Sequence, residues 1–99
     1  EELRRVEWTI GIEYDEDYQR VRQVILALLQ QDQRILTTPE PVIVLHKLND
    51  SSVDILVRAW VASGDLWPVF WDFNERVYAD FNAKGIGFPF PQLTVHQGK

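Results

Sequence analysis

The stretch Ser51–Ser63, which reads SSVDILVRAWVAS, most constrains how this chain can fold because apolar residues recur in it at every second position. One side of this repeat is purely aliphatic, whereas the other mixes polar and bulky side chains such as Trp60. A strand with a continuous aliphatic face needs other apolar elements to cover that face. The pattern therefore predicts a central strand of a sheet, with a buried face formed by Val53, Ile55, Val57, Ala59 and Val61.

Two amphipathic segments can cover this face. Tyr18–Leu29 follows three acidic residues that suit a helix N-terminus, and Leu66–Phe81 precedes Gly85, a typical left-handed helix end. Both segments are predicted to be helices on the same side of the sheet. The expected shared core comprises Ile10, Ile12, Val24, Leu28, Val53, Ile55, Val57, Val69, Phe73 and Val77.

Two further strands are predicted beside the central one. Val6–Tyr14 alternates apolar and polar residues and is expected to pair with the central strand. Val42–Leu48 follows Pro39 and Pro41, which favour an edge position. The turn-forming residues 49–52 join this edge strand to the central strand as an antiparallel hairpin.

The resulting β-α-β-β-α order, with both helices on one face, predicts an α+β fold: a ferredoxin-like split sandwich with an antiparallel sheet. The last segment reads GIGFPFPQLTV, where the usual fourth strand would come. Pro89 and Pro91 remove two ladder donors from the same side of that segment. We therefore expect an extended C-terminal segment that is a poor central strand.

Length, cysteine content and charge narrow the possible functions. Ninety-nine residues predict one domain, and the absence of cysteine excludes disulfides, thiolate zinc sites and iron–sulfur clusters. The net charge of −5 argues against a nucleic-acid partner. No apolar run approaches the roughly 20 residues of a membrane-spanning helix. Because the chain starts at Glu1 without a methionine and stops abruptly, we expect a fragment of a longer protein, with any membrane helices upstream.

Candidate catalytic and metal-binding residues are few. His46 and His96 have no partner that suggests a nucleophile, and turn formation explains the Ser51–Ser52 pair. Asp15 and Asp17 could suggest a cation site, but helix capping explains them better. We therefore predict no catalytic site, metal or cofactor, and no enzyme activity.

Aromatic residues outside the predicted core suggest contact surfaces. Trp60 lies on the open face of the sheet, where a packing surface is a better interpretation than RNA binding because acidic residues surround it. Trp67, Trp71 and Tyr78 lie beside the buried stripe of the second helix. They could be a flank of the core or a contact with another subunit, and the sequence leaves both alternatives open.

Several motifs together resemble a known family, the C-terminal α/β domain of the small-conductance mechanosensitive channel, MscS. The resemblance runs from Arg4 to Val95. Its most specific part is the last of the matching segments, which are Ile10–Asp17, Arg34–Leu36, Ser51–Trp60, Ser63–Leu66 and Gly85–Gln92.

The resemblance implies an inner-membrane channel of seven identical subunits, opened by membrane tension to release solutes during hypo-osmotic shock. Residues 1–92 would be a domain of its hollow cytoplasmic cage, and residues 93–99 would begin a strand of a barrel that closes the cage. No pore or gate residue is expected in this chain. The residues expected to contact other subunits are Phe88, Pro89, Phe90, Pro91, Gln92, Leu93, Thr94 and Val95, with Trp60, Trp67 and Trp71 as further candidates.

The alternative function is that of a soluble regulatory domain of ferredoxin-like fold that binds a small ligand. Such sites need convergent polar groups and often glycine-rich loops at strand ends, and the sequence shows neither. Apolar spans upstream in the parent chain would favour the channel.

Overall fold

A computed structural model describes residues 2–89 and confirms the predicted fold class, an antiparallel sheet of three strands with two helices. The strand order is β1-β3-β2, so the strand predicted to be central lies in the middle. The elements are β1 (Leu3–Ile12), α1 (Tyr18–Gln30), β2 (Val42–Leu48), β3 (Val53–Ala62) and α2 (Leu66–Lys84), with a short 3₁₀ turn at Ser63–Asp65.

The central strand β3 buries every second side chain, as its sequence pattern predicts. It pairs with β1 over ten residues, from Leu3 opposite Ala62 to Ile12 opposite Val53. This register brings the even-numbered residues of β1 to the face that carries the aliphatic residues of β3, so both strands present their apolar side chains to the helices.

The start of α1 and the end of α2 lie at the predicted signals. The Asp17 carboxylate caps α1 by accepting a hydrogen bond from the Gln19 backbone N–H at 3.0 Å. Gly85 ends α2 with a φ of 73°, a left-handed conformation that glycine adopts without a steric cost. The capping interpretation of the acidic residues is therefore confirmed at Asp17.

One hydrophobic core joins the sheet and the two helices, and it contains the predicted residues, with Val24 half-buried at its margin. Trp8 lies under α2, where its ring centre is 4.3 Å from that of Phe73. Its indole N–H donates to the Phe70 carbonyl at 3.3 Å, so the polar group of this buried ring is satisfied.

The two edges of the sheet differ. The β2 edge carries a bulge between Leu45 and Lys47, where His46 has no partner on β3. The β1 edge is regular over its whole length, and its odd-numbered backbone groups point away from β3. Two hydrogen bonds show this orientation. The Glu2 carbonyl accepts from the Ser63 N–H at the end of β3, on the side of β1 that faces β3, whereas the Glu13 N–H donates to the Gly87 carbonyl on the opposite side.

Neither α1 nor α2 combines the length and the apolar character that a bilayer-crossing helix needs, and this finding covers residues 2–89.

Replacing Phe73 with alanine should lower the free energy of unfolding by about 3–5 kcal/mol, because the change leaves a cavity beneath α2. Phe73 is only 1% exposed. The matched control is Tyr78→Ala on the same helix, where the side chain is 66% exposed and a change within about 0.5 kcal/mol is expected. Urea titrations of both variants measure these values. A loss below about 1 kcal/mol for Phe73→Ala would mean that α2 packs in a different register.

Candidate functional site

The segment that leaves α2, Gly85–Pro89, lies against its own domain at the outer edge of β1. We call it the exit segment. Ile86 is buried in the core, and the Phe88 ring stacks on Phe81 with centres 5.4 Å apart. Phe88, which we assigned to the subunit contacts, thus also packs on its own helix.

Glu16, through its side chain, and Glu13, through its backbone, hold the exit segment at Gly87. The Glu16 carboxylate accepts the Gly87 N–H at 2.8 Å, and the Glu13 N–H donates to the Gly87 carbonyl at 3.3 Å. A Cβ atom at residue 87 would lie only 2.9 Å from the Glu13 carboxylate carbon, so a larger residue there would require the flexible Glu13 side chain to move. Arg20 also donates to the Lys84 carbonyl at 2.7 Å and so supports the end of α2.

The exit segment runs antiparallel to β1 without forming a strand. Glu13 lies opposite Gly87, and the Pro89 ring lies 3.5 Å from the point where a Cβ would stand on Gly11. In this register the next backbone donor that faces β1 would come from residue 89. Residue 89 is proline, so the pairing begun at Gly87 lacks its next donor.

The rest of the predicted contact segment lies outside the described residues, and its assignment stays a prediction. It comprises Phe90, Pro91, Gln92, Leu93, Thr94 and Val95.

The aromatic side chains beside the core stripe of α2 are exposed. Trp67 and Trp71 are 56% and 58% exposed, and their ring centres are 5.8 Å apart. They are therefore not part of the core, and the alternative that they contact another subunit stays a prediction. Between α2 and the outer edge of β1 lies a groove of about 270 Å³ lined in part by Asn74, Tyr78 and Phe88.

The open face of the sheet carries Trp60 in a half-buried position opposite Arg5 of β1. The central cation of this face, Arg58, is bound to Glu7 at 2.6 Å, and Glu7 also contacts Arg5 at 3.1 Å. A nucleic-acid phosphate backbone needs free positive charge, and Glu7 neutralises part of the positive charge of Arg58 and Arg5. The geometry therefore agrees with a packing surface better than with RNA binding.

Sequence reasoning missed a charged cluster that joins the end of α1 to α2. Asp32 is 6% exposed, and Arg34 binds its carboxylate through two hydrogen bonds of 2.9 and 2.8 Å. The same guanidinium reaches Asp72 on α2 at 2.8 Å, and Arg76 lies 3.9 Å from Asp32. The Arg34–Leu36 motif singled out Arg34 in the sequence, but its partner Asp72 lies 38 positions further along the chain.

The charges in this cluster stabilise one another. Hydrogen bonds from Arg34 hold the pKa of the Asp32 carboxyl below its ordinary value, although burial acts in the opposite direction. The same hydrogen bond, together with the one to Asp72, raises the pKa of Arg34. Asp32 is therefore ionised at neutral pH and serves as a structural anchor.

A wider groove of about 730 Å³ lies between the C-terminal half of α1 and residues 32–41. Its floor includes the apolar Leu29 and Ile35. None of the described residues that line it is Lys or Arg, and the nearby Arg34 is already bound to two carboxylates.

The other candidate groups show no catalytic arrangement in the part of the chain that the structure describes. His46 is exposed at the bulge of β2, and His96 lies outside that part. Glu13, Asp15 and Glu16 bring their oxygens within 4.8 Å of one another, and one of them, Glu16, holds Gly87.

Comparison with known proteins shows the family of this domain. The family described as "Mechanosensitive ion channel MscS, C-terminal" matches residues 6–88. The chain belongs to the MscS family of mechanosensitive channels. The match covers every helix and strand except the first residues of β1, and it ends inside the exit segment.

Individual MscS-family proteins agree with this assignment. An uncharacterised MscS family protein of Synechocystis is 37% identical over 93 residues, which is 94% of this chain and 31% of the relative. The small-conductance mechanosensitive channel of Edwardsiella ictaluri is 34% identical over 97% of this chain and 34% of its own length.

A crystal structure of Helicobacter pylori MscS in the closed state superposes with a TM-score of 0.83 at 26% identity. The superposed region comprises 89% of this chain and 35% of the H. pylori chain. The chain thus spans about a third of the length of these MscS proteins.

Replacing Asp32 with asparagine should destabilise the domain by about 1–3 kcal/mol at pH 7, because a guanidinium hydrogen-bonded in the cluster loses its main partner. The folded-state pKa of Asp32 is lowered, so its stabilising effect is complete above the unfolded pKa of about 3.9. The effect disappears as the pH falls through the folded pKa. Urea titrations between pH 7 and pH 2.5 should therefore show the two proteins converging in acid.

The control for this experiment is Asp80→Asn, which removes an i,i+4 pair with Lys84 at 2.9 Å on the surface of α2. Its expected cost is about 0.2–0.5 kcal/mol. Equal losses for the two variants would show that the Asp32 cluster is no more than a surface ion pair.

Proposed function

We propose that this chain is the cytoplasmic cage domain of a tension-gated, homoheptameric channel of the inner membrane. The channel releases solutes during hypo-osmotic shock, and its transmembrane helices come from the rest of the parent protein. The role of this domain is to assemble the cage and to filter solutes. It carries out no enzyme reaction and binds no cofactor.

The observation that carries this proposal is the path of the exit segment in a domain of the MscS family. The outer edge of β1 is the place for a fourth strand in a ferredoxin-like sheet, and the exit segment reaches it at Gly87. Prolines at positions 89 and 91 then oppose continued pairing with β1. A segment that cannot complete its own sheet is free to pair with other copies, which supports the closing barrel.

The alternative of a soluble ligand-binding regulator has less support. Its best site would be the groove beside residues 32–41, but Arg34 is engaged there by Asp32 and Asp72. Membership of the MscS family also favours the channel.

The direct test of channel function is expression of the full-length parent protein in a bacterial strain that lacks its own mechanosensitive channels. We expect survival of a rapid dilution from high to low osmolarity, and tension-activated currents in membrane patches. A strain carrying an empty vector is the control. A membrane-inserted protein that neither protects the cells nor conducts under tension would refute the proposal.

Deleting residues 90–99 from the full-length protein should impair heptamer assembly and leave this domain folded, because residues within 2–89 already form a core that joins the sheet to both helices. Blue native electrophoresis reports assembly. Circular dichroism of the 99-residue chain and its truncated form reports folding. The matched deletion begins at Phe88 and also removes the ring stacked on Phe81, so we expect it to lower stability as well. If the shorter deletion unfolds the domain, the segment is an ordinary fourth strand.

A further inference from the structure

The groove between α2 and the outer edge of β1 lies directly ahead of the exit segment. Its volume is about 270 Å³, and Phe88 of the exit segment is one of its lining residues. Its apolar floor is formed by Ile10 and Val77, which are 8% and 6% exposed. Pockets for small-molecule ligands usually span about 300–1,000 Å³. A groove of this size therefore suits one large apolar side chain better than a separate ligand.

The exit segment approaches this groove as an extended chain. The Glu13 N–H donates to the Gly87 carbonyl, and two residues further on the Pro89 ring lies beside Gly11. A step of two residues along the exit segment thus matches a step of two residues back along β1, as in an antiparallel pair. Residues that stand opposite each other in such a pair project to the same face.

This register indicates which residue reaches the groove. Phe88 stands opposite Ile12, and both side chains pack against the core, as residues that share a face should. Phe90 is the next residue on that face of the exit segment. It stands opposite Ile10, which belongs to the floor of the groove.

The spacing along α2 agrees with this register. The Phe88 ring stacks on Phe81, and the groove residues Val77 and Tyr78 lie one helical turn before Phe81. One helical turn rises about 5.4 Å, and two residues of extended chain span about 6.6 Å. A step from residue 88 to residue 90 therefore moves from Phe81 to the groove.

The sequence around the exit segment has the same period of two. Large apolar residues occupy the even positions and glycine or proline the odd ones, so that Ile86, Phe88 and Phe90 alternate with Gly85, Gly87, Pro89 and Pro91. Ile86 is buried, and Phe88 packs against the core. Because Pro89 has no backbone N–H to donate to β1, side-chain packing has to hold the chain beyond this point.

We propose that the Phe90 ring occupies this groove in its own chain and is the last contact of the C-terminal segment with its own domain. In this position the ring covers Ile10 and Val77 and lies beside the Tyr78 ring, an arrangement that aromatic pairs favour. The occupant is a segment of the same chain that continues directly from Pro89. The inference goes beyond the proposed function, because it concerns how the domain holds its own C-terminal segment.

Thiol labelling of the 99-residue chain tests the proposal, because the chain has no cysteine of its own. The variant Val77→Cys places a thiol on the groove floor, beneath the proposed position of the ring. Adding Phe90→Ala should speed its reaction with a small disulfide reagent about 2- to 13-fold, the equivalent of an aromatic contact of about 0.5–1.5 kcal/mol. An unchanged rate would overturn the proposal.

Two controls separate uncovering of the groove from general destabilisation. Val69→Cys places a thiol at a fully buried position of the same helix that does not line the groove, so Phe90→Ala should leave its rate unchanged. Leu93→Ala should not affect the Val77→Cys thiol, because residue 93 faces away from the groove in this register. Equal acceleration of both thiols, or an equal effect of Leu93→Ala, would refute a specific contact of Phe90.

The dependence on protein concentration identifies which copy supplies the ring. Protection by the same chain is independent of concentration, whereas protection by another copy increases with it. A constant labelling rate of the Val77→Cys thiol over a wide range of protein concentrations is the expected result. A rate that falls as the concentration rises would assign the groove to a neighbouring copy and overturn the proposal.

Failure of this inference can be separated from failure of the proposed function. The labelling uses the 99-residue chain, whereas channel function is measured with the full-length parent. A parent that protects cells from osmotic shock, together with a Val77→Cys thiol that does not respond to Phe90→Ala, would keep the channel and lose the contact proposed here.

Discussion

The domain depends on covering one aliphatic face, that of β3. Five of its side chains are 7% exposed or less, and a sheet of three strands cannot hide them unless both helices lie on the same side. The register of β1 follows from the same requirement, since a shift by one residue would turn Trp8 and its neighbours toward solvent. The hydrophobic effect thus determines the sheet order, the helix positions and the side on which Trp60 remains half-exposed.

Leaving the sheet at three strands has consequences for the whole molecule. The outer edge of β1 is regular but unfilled in the described residues, because the exit segment makes one backbone hydrogen bond at Gly87 and then reaches Pro89. The chain is held at Gly87 by Glu13 and Glu16, so its direction at this point is determined by its own domain. From Gly87 to Pro89 the backbone runs along β1, and the proline deprives it of the next donor for pairing with that strand.

Charge is arranged differently in the interior and on the surface. The Asp32 cluster lies at the junction of α1 and α2, where Arg34 joins two carboxylates that are 40 positions apart in sequence and compensates for the burial of one of them. On the surface, Glu75 of α2 and Lys47 of β2 are exposed, and neither forms an ion pair within residues 2–89. The interior cluster therefore contributes to the stability of the fold, whereas these two surface charges do not hold elements of the fold together.

The sequence by itself determined the class of fold, the central strand, both helices, the start of α1 and the end of α2. These features arise from local periodicity and from single residues such as Asp17 and Gly85, so they need no knowledge of distant contacts. The motif Gly85–Gln92 also suggested the MscS family, which the comparisons then showed.

Only the tertiary structure decided which surfaces remain exposed and which charges meet. The exposure of Trp71 depends on how α2 rotates over the sheet. The Asp32–Arg34–Asp72 cluster and the hold of Glu16 on Gly87 join residues 38 to 71 positions apart. Periodicity describes one segment at a time, so the meeting of distant segments is decided only in the packed fold.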